Sequence, residues 1–303
     1  MLEPPVHQKQ KFNAQVANFL GHGNVRTDNP DESWSLNVLE LKLGRYKVRL
    51  TQDREVVANK VKPKGLIYTT DLEILGVKKY TEGETATNDI CRLLSLASFS
   101  QVTPLECSFD GYGRHLLNLT DQAMYFRPLI NIKSGDETQA FLEKTWASFR
   151  KKKRSRKLSE VIEMLTIAEL PIQPLEIKLA QIFIIMENLK GTYAKANGIP
   201  FSKGFFRKVT DPAMPLNKQP RLNFETLLNS MFEEVGMRPS LKRIIRLRNE
   251  IIHFGLSRKP YTSLRKDYDF CHDIVREYLL RLLNYDGKYR LYSHASRTVK
   301  ELN

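Results

Sequence analysis

The spacing of the apolar residues changes part-way along this chain of 303 residues. Between about residues 34 and 132 apolar and polar residues often alternate, as they do over 34–38 and 46–50. A period of two predicts strands with one covered face. After Gly135 the apolar residues recur at helical spacing. The sequence therefore predicts an α+β protein, with a mixed, β-rich N-terminal domain over 1–135 and an all-α C-terminal domain over 136–303.

Shorter features complete the prediction for the N-terminal half. Further extended pieces are expected at 65–69, 105–109 and 126–130, with a turn at Asp110-Gly111. One helix should interrupt the strands, with Asn88 as its N-cap. Its apolar face is predicted to consist of Ile90, Leu93, Leu94 and Ala97.

The C-terminal half predicts an up-and-down helical bundle. A helix with an apolar face over 141–149 leads into the basic run RKKKRSRK (150–157). The segment 174–190 is apolar on nearly all sides, which is typical of the buried centre of a bundle. The segment 197–221 is rich in Gly, Pro and basic residues, and we expect a loop there. Five helices with short connections indicate the bundle. The first is expected from about 141 through the basic run to 168, and the others at 174–190, 224–235, 240–254 and 262–285.

The charge balance favours a polyanionic partner. Lys and Arg number 48 against 34 Asp and Glu, which gives a net charge of +14. Cations that neutralise phosphates release counterions from a nucleic acid, so RNA or DNA contact is expected.

The cysteine count and the hydropathy of the chain indicate the cellular compartment of the protein. Cys91, Cys107 and Cys271 are odd in number and far apart, which favours a reducing environment. The longest apolar run, 182–186, is too short to cross a bilayer, and residues 1–12 lack the apolar core of a signal peptide. We therefore expect a cytoplasmic protein without membrane contact. Without clustered Cys, His or carboxylate spacing, we expect no metal and no cofactor.

The segment SLKRIIRLRNEIIHFG (240–255) carries a charge where the helical pattern predicts an apolar residue. Arg248 falls in the middle of the apolar sector of this helix. A guanidinium that faces inward costs several kcal/mol unless it is paired or faces a wet cleft. The apolar stripe around it is predicted to be Leu241, Ile244, Ile245, Ile251 and Ile252.

Two further polar residues of this helix suggest chemistry on a phosphodiester. Asn249 and His253 are four residues apart and share a face, and Gly255 should end the helix just after His253. Imidazole moves protons near neutral pH, and a guanidinium such as that of Arg248 stabilises growing phosphate charge. Asn249 can position the phosphate or the imidazole. This set suits RNA cleavage by the RNA's own 2′-hydroxyl without a metal ion.

A structural interpretation of the same residues stays open. Arg248 would then be a buried cation paired to a carboxylate of the central helix, and His253 a satisfied core histidine. Glu187 is the natural partner of Arg248, and it would either steer the guanidinium or merely neutralise it. Lys190, one turn further, is expected to be a solvated cation at the end of its helix.

The hexapeptide RNEIIH (248–253) resembles the R-x4-6-H motif of the HEPN superfamily, whose second position is commonly polar. The segment PLEIKLAQIFIIMENLKGTYAK (174–195) is similar to the central helix of the Apea-like HEPN family within it. LLRLLNYDGKY (279–289) resembles the C-terminal ending of these proteins, and LLSLASFSQVTPLECSFDGYG (93–113) resembles the region that precedes their helical domain. The resemblance covers most of the chain from about residue 85 onward.

The resemblance implies a metal-independent endoribonuclease that forms a homodimer through the motif helix. Arg248, Asn249 and His253 would form one composite site across the dimer axis, with Glu187 in support. Such proteins often act as toxins in anti-phage defence and abortive infection, and the N-terminal domain would sense a trigger or restrain the nuclease. Two alternatives stay open: a non-catalytic module that binds RNA or nucleotide, and a dimerising scaffold.

The basic run supplies a second candidate RNA contact. Arg150, Lys151, Lys152, Lys153 and Arg154 would follow the RNA backbone towards the site. The alternative is a solvated helix end. His272, in the last long helix, is expected to be a surface or core residue without a chemical role.

Overall fold

The chain has a mixed α+β fold, as the sequence predicts. It divides into two compact units, Met1–Ala147 and Ser148–Asn303. The computed structural model describes residues 11–28, 32–53, 67–116, 127–294 and 298–302.

The N-terminal unit is built on an antiparallel sheet of seven strands in the order β2-β3-β4-β5-β1-β6-β7. Alternating burial is clearest in β4, where Val48 and Leu50 are buried and Lys47 and Arg49 are exposed. One face of the sheet is therefore covered, as the period of two predicts. The strands are β1 (Lys11–Ala17), β2 (Val25–Asp28), β3 (Trp34–Leu43), β4 (Tyr46–Gln52), β5 (Tyr68–Leu75), β6 (Thr103–Phe109) and β7 (Tyr112–His115).

Helix α1 (Tyr80–Ser98) packs against β1 and β6. The predicted apolar face is buried, but the predicted N-cap at Asn88 is wrong, because the helix begins after Lys79. Its first turns are rich in Thr and Glu and carry no apolar period, so the pattern did not reveal them. Gly83 lets the helix approach the sheet closely, since a Cβ there would lie 2.1 Å from the Phe12 ring.

The remaining N-terminal predictions have mixed outcomes. The strand at 105–109 and the turn at Asp110-Gly111 are confirmed by β6 and by positive φ at both turn residues. Of 65–69, only the last two residues belong to β5, and 65–66 lie outside the described residues. The predicted strand at 126–130 is wrong for 127–130, which form bends and coil. Leu129 and Ile130 are apolar because both side chains are buried in the core. Phe126 lies outside the described residues.

Helices dominate the C-terminal unit. The helix α4 packs against α3, α5, α6 and α7, so it is the centre of the bundle as predicted. Ile177 and Ile184, seven residues apart, are nevertheless exposed along one face of it. The helices are α2 (Gly135–Lys152), which crosses the division between the units, α3 (Leu158–Ala168), α4 (Leu175–Ala196), α5 (Phe224–Glu233), α6 (Lys242–Phe254) and α7 (Tyr261–Leu282).

Two small sheets accompany these helices. The predicted loop at 197–221 is wrong, because it folds into a three-stranded antiparallel sheet of β8 (Phe201–Ser202), β9 (Phe205–Arg207) and β10 (Arg221–Leu222). The turn between β8 and β9 is Lys203-Gly204, and both residues have positive φ. Strands β11 (Lys288–Arg290) and β12 (Val299–Glu301) pair near the C-terminus.

Candidate active site

The motif helix α6 places Arg248 at the edge of its buried face. Ile244, Leu247 and Ile251 are buried, whereas Ile252, predicted to belong to the stripe, is exposed. Leu247 shifts the buried sector, so Arg248 lies at the edge of that sector and not, as the sequence predicts, in its middle. The Arg248 side chain keeps 24% of its surface exposed.

Three neighbours hold the guanidinium of Arg248. Its Nη2 donates to Oε1 of Glu187 at 2.8 Å, which confirms the expected pairing. Its Nη1 donates to Oδ1 of Asn249 at 3.2 Å. The Phe224 ring, in the first turn of α5, lies 4.7 Å from the guanidinium carbon. In the part of the chain that the structure describes, the buried Nε has no acceptor.

Glu187 binds two cations at once. Its second oxygen, Oε2, accepts from Lys190, and the ammonium lies 4.9 Å from the Phe224 ring centroid. Lys190 is therefore not the solvated cation expected from its place near the helix end, because the carboxylate and the ring cover all but 13% of its side chain. We call Glu187, Lys190, Phe224 and Arg248 the cation cluster. Two cations and one carboxylate leave it with a charge of +1.

The imidazole of His253 lies at the surface in the last turn of α6. Gly255 ends the helix with φ of +73°, as predicted, and its N–H donates to the carbonyl of Ile251. The His253 side chain has no hydrogen bond or ion pair to any residue for which positions are described. Five helical residues turn the chain through about 140° beyond a full turn, so His253 and Arg248 leave the helix in different directions.

Two carboxylates secure the chain that follows α6. Glu250 accepts from the Ser257 hydroxyl at 2.8 Å and from the Arg258 N–H at 3.1 Å. These two hydrogen bonds lower the pKa of Glu250. The buried Asp267 of α7 binds both Arg243 and Lys259. Neither acid was singled out in the sequence, where both look like ordinary surface charges.

The basic run at 150–157 is divided between structural and exposed cations. Arg150, Lys151 and Arg154 are exposed, and Lys153 is half-buried. The ammonium of Lys152 donates to the carbonyl of Leu282 at 2.6 Å, and burial lowers its pKa. Lys152 thus anchors the end of α2, and among the cations of the run Arg150, Lys151 and Arg154 remain available to bind a polyanion at the surface.

Arg156, the sixth cation of the basic run, is buried. Its Nη1 binds Glu234 at 2.9 Å, its Nη2 donates to the Tyr278 hydroxyl, and its guanidinium carbon lies 5.6 Å from the Tyr193 ring. Tyr193 follows Lys190 by one turn of α4. These contacts bring the end of the basic run to the same end of α4 as the cation cluster.

His272 belongs to a buried polar network in α7. Its Nε2 lies 3.0 Å from Oε1 of Glu169, and the Tyr268 hydroxyl donates to the same oxygen at 2.9 Å. Arg276 is also fully buried, with Nη2 3.8 Å from that oxygen. His272 is therefore a core residue, as expected, but one that is tied to a buried carboxylate.

The three cysteines are buried and unpaired. Burial raises the pKa of Cys107 and of Cys271 to about 12. Among the residues with described positions, no three or more His, Cys, Asp and Glu side chains group as a metal site would require. No helix within those same ranges is long and apolar enough to cross a membrane.

Comparisons with protein-family models, with curated proteins and with solved structures give no match. Membership of the HEPN superfamily therefore stays a prediction that rests on the resemblance of the sequence segments.

Proposed function

We propose that this protein is a metal-independent endoribonuclease of the HEPN type that cuts RNA at a site formed by two copies of the motif helix. The observation that carries the proposal is Arg248, a cation held from three sides that still reaches solvent. Arginine has five N–H donors. The Nη donors that Glu187 and Asn249 do not use can bind a phosphate.

The charge of the cation cluster fits an anionic substrate. With its net charge of +1, the cluster is neutralised by one phosphodiester. Glu187 and Phe224 restrict the guanidinium before the RNA arrives, so less side-chain entropy is lost on binding. A preorganised cation stabilises the extra negative charge of the transition state more than a flexible one does.

The reaction is a transfer of the phosphodiester within the RNA. The 2′-oxygen attacks the adjacent phosphorus, the bond from phosphorus to the 5′-oxygen breaks, and a 2′,3′-cyclic phosphate and a 5′-hydroxyl form. His253 takes the proton of the 2′-hydroxyl or supplies one to the leaving 5′-oxygen. Arg248 stabilises the charge on the phosphorane oxygens, and Asn249 positions the guanidinium through the hydrogen bond to Nη1.

A second copy of the chain would complete the site. Within one α6, His253 and Arg248 diverge by about 140°, so in this proposal the imidazole that acts on a phosphate held by Arg248 comes from the partner copy. Apolar side chains beside the motif are exposed, and Phe254 has 77% of its surface in solvent. Ile252 and Leu256 flank it. Covering such residues favours association.

The biological setting rests on the resemblance alone. HEPN proteins of this kind often serve as toxins in anti-phage defence, and we extend that role and a cytoplasmic location to this chain as part of the proposal. The N-terminal unit would then sense the trigger or restrain cleavage.

A non-catalytic RNA- or nucleotide-binding module is the alternative, and the Arg248–Glu187 ion pair favours it. A guanidinium that is already neutralised by a carboxylate can be a structural group, with the surrounding basic residues as the binding surface. A dimerising scaffold would need neither Arg248 nor His253 for its role.

Induced expression of the wild type beside His253→Ala tests the proposal in cells. Total RNA from the wild type should contain breaks whose upstream fragments end in 2′,3′-cyclic phosphate, and growth should stop. His253→Ala should remove both effects at equal protein level. Breaks that end in a 3′-hydroxyl, or equal breakage by both proteins, would contradict the proposed mechanism. RNA binding without any cleavage by the purified wild type would favour the binding module.

A further inference from the structure

The small sheet between α4 and α5 carries aromatic and basic side chains at its surface. The segment 197–222 contains five Lys or Arg residues and one Asp, a net charge of +4. Phe201 and Phe205 expose 59% and 41% of their surfaces. Exposed aromatic rings beside cations are the elements from which single-stranded nucleic-acid sites are built.

The strand register separates the two aromatic residues. Phe205, Arg207 and Arg221 lie on one face, which we call the Phe205 face, because Arg221 pairs with Arg207 and Phe205 is two residues before Arg207. Phe201 pairs with Phe206 on the opposite face, where the two rings lie 5.0 Å apart. The two exposed rings are thus a matched pair on opposite sides of one sheet.

The Phe205 face is a preformed stack. The guanidinium carbon of the exposed Arg221 lies 4.3 Å from the Phe205 ring centroid. Arg207, on the same face, is buried, with its guanidinium carbon 5.7 Å from the Phe205 ring centroid, and it donates to the carbonyl oxygen of Gln219 at 2.9 Å. A planar base can therefore stack on this face without first ordering the side chains.

We propose that the Phe205 face binds single-stranded RNA, with a base stacked on the Phe205–Arg221 pair. The inference rests on the proposed function, because it names the part of the RNA that the nuclease holds. The excess of positive charge favours a polyanion over a protein partner. A base buried in a duplex cannot stack there, so the face selects unpaired RNA.

The position of the face relative to the cation cluster supports this assignment. Arg221 precedes Phe224 by three residues, which span at most about 11 Å of chain. The Phe224 ring contacts both Arg248 and Lys190. A base on the Phe205 face therefore belongs to a nucleotide close to the phosphate at Arg248.

Binding measurements on uncleaved RNA test the inference. The probe is a fluorescein-labelled single-stranded RNA, compared with a duplex of the same sequence, and every protein carries His253→Ala. Phe205→Ala should weaken single-strand binding about tenfold, with little change for the duplex, while Phe201→Ala should change either Kd by less than about twofold.

A second variant keeps the test valid if Phe205→Ala lowers stability. Phe205→Leu retains an apolar side chain but cannot stack, and it should lose the same affinity at an unchanged thermal midpoint. Equal losses for Phe205→Ala and Phe201→Ala, or no loss for either, would overturn the inference. If Phe205→Leu alone, with His253 present, cuts RNA at the wild-type rate, the inference is also overturned, while the proposed nuclease stands. Loss of binding in a protein that never cuts RNA would overturn the nuclease and leave the RNA face standing.

Discussion

Glu187 and Arg248 are joined by a 2.8 Å hydrogen-bonded ion pair between the central helix and the motif helix. The pair is not sealed, because 36% of the Glu187 side chain and 24% of the Arg248 side chain remain exposed. Its carboxylate also binds Lys190. The acid therefore sets both the position of the guanidinium and the charge that surrounds it, and these two roles can be separated by experiment.

Glu187→Gln should separate steering from neutralisation. The amide keeps the shape of the carboxylate but raises the charge of the cluster from +1 to +2, so RNA should bind as tightly or more tightly. If Glu187 steers Arg248, kcat should fall roughly tenfold to a hundredfold because the guanidinium is misplaced, while KM stays level or falls. Glu176→Gln, in the first turn of the same helix, is the control. An unchanged kcat would mean that Glu187 only neutralises.

Asp267→Asn should destabilise the segment that follows the motif helix. The carboxylate is buried and binds Arg243 of α6 and Lys259. Its replacement should lower the free energy of unfolding by about 2 kcal/mol, a typical value for hydrogen bonds to a charged group. Asp269→Asn is the control, since its pair with Arg265 lies within one helix and should contribute only about 0.5 kcal/mol. Equal effects in thermal unfolding would contradict this assignment.

Glu277 should contribute a pH-dependent part of the stability. Burial acts to raise its pKa, but hydrogen bonds from Tyr289, Lys300 and Arg281 outweigh burial and lower it below the ordinary value of 4.5. A lowered pKa in the folded state gives stability that is fully present above about pH 4.5 and is lost as the pH falls through the folded-state pKa. Thermal midpoints measured down to low pH should therefore drop more steeply for the wild type than for Glu277→Gln. Parallel curves would contradict it.

Phe254→Ser should weaken self-association. The side chain is 77% exposed, so its loss costs a monomer little, whereas a dimer through the motif helix would lose a buried aromatic contact. Sedimentation equilibrium should show a shift towards monomer together with lower cleavage activity. Tyr112→Ser removes another exposed aromatic residue, in β7, and should change neither. An unaffected association constant would place any dimer contact elsewhere.

The spacing of apolar residues, and a charge within an apolar helical face, predicted part of the fold and of the site. The α+β division, the central helix and the partner of Arg248 follow from the cost of leaving an apolar face or a guanidinium uncovered. The exact orientation of Arg248 did not follow, because Leu247 and Ile252 are equally apolar and only packing decides which of them is buried.

Contacts between distant segments could not be predicted from spacing. Phe224 lies on another helix and has no periodic relation to Arg248, although it covers both cations of the cluster. The sheet at 197–222 was missed because strands of two or three residues are too short to show a period of two. Lys190 could have been found, since it is three residues after Glu187 on a helix, a spacing that brings side chains together.

The rate at which the purified protein cuts a labelled single-stranded RNA in excess chelator is the most direct test of the central claim. The wild type should cut it and leave 2′,3′-cyclic phosphate ends, and Arg248→Ala and His253→Ala should each reduce the rate by at least about a hundredfold. Arg246→Ala, an exposed arginine of the same helix, should cut at nearly the wild-type rate. Cleavage that persists without Arg248 or His253, or that the chelator abolishes, would contradict the account.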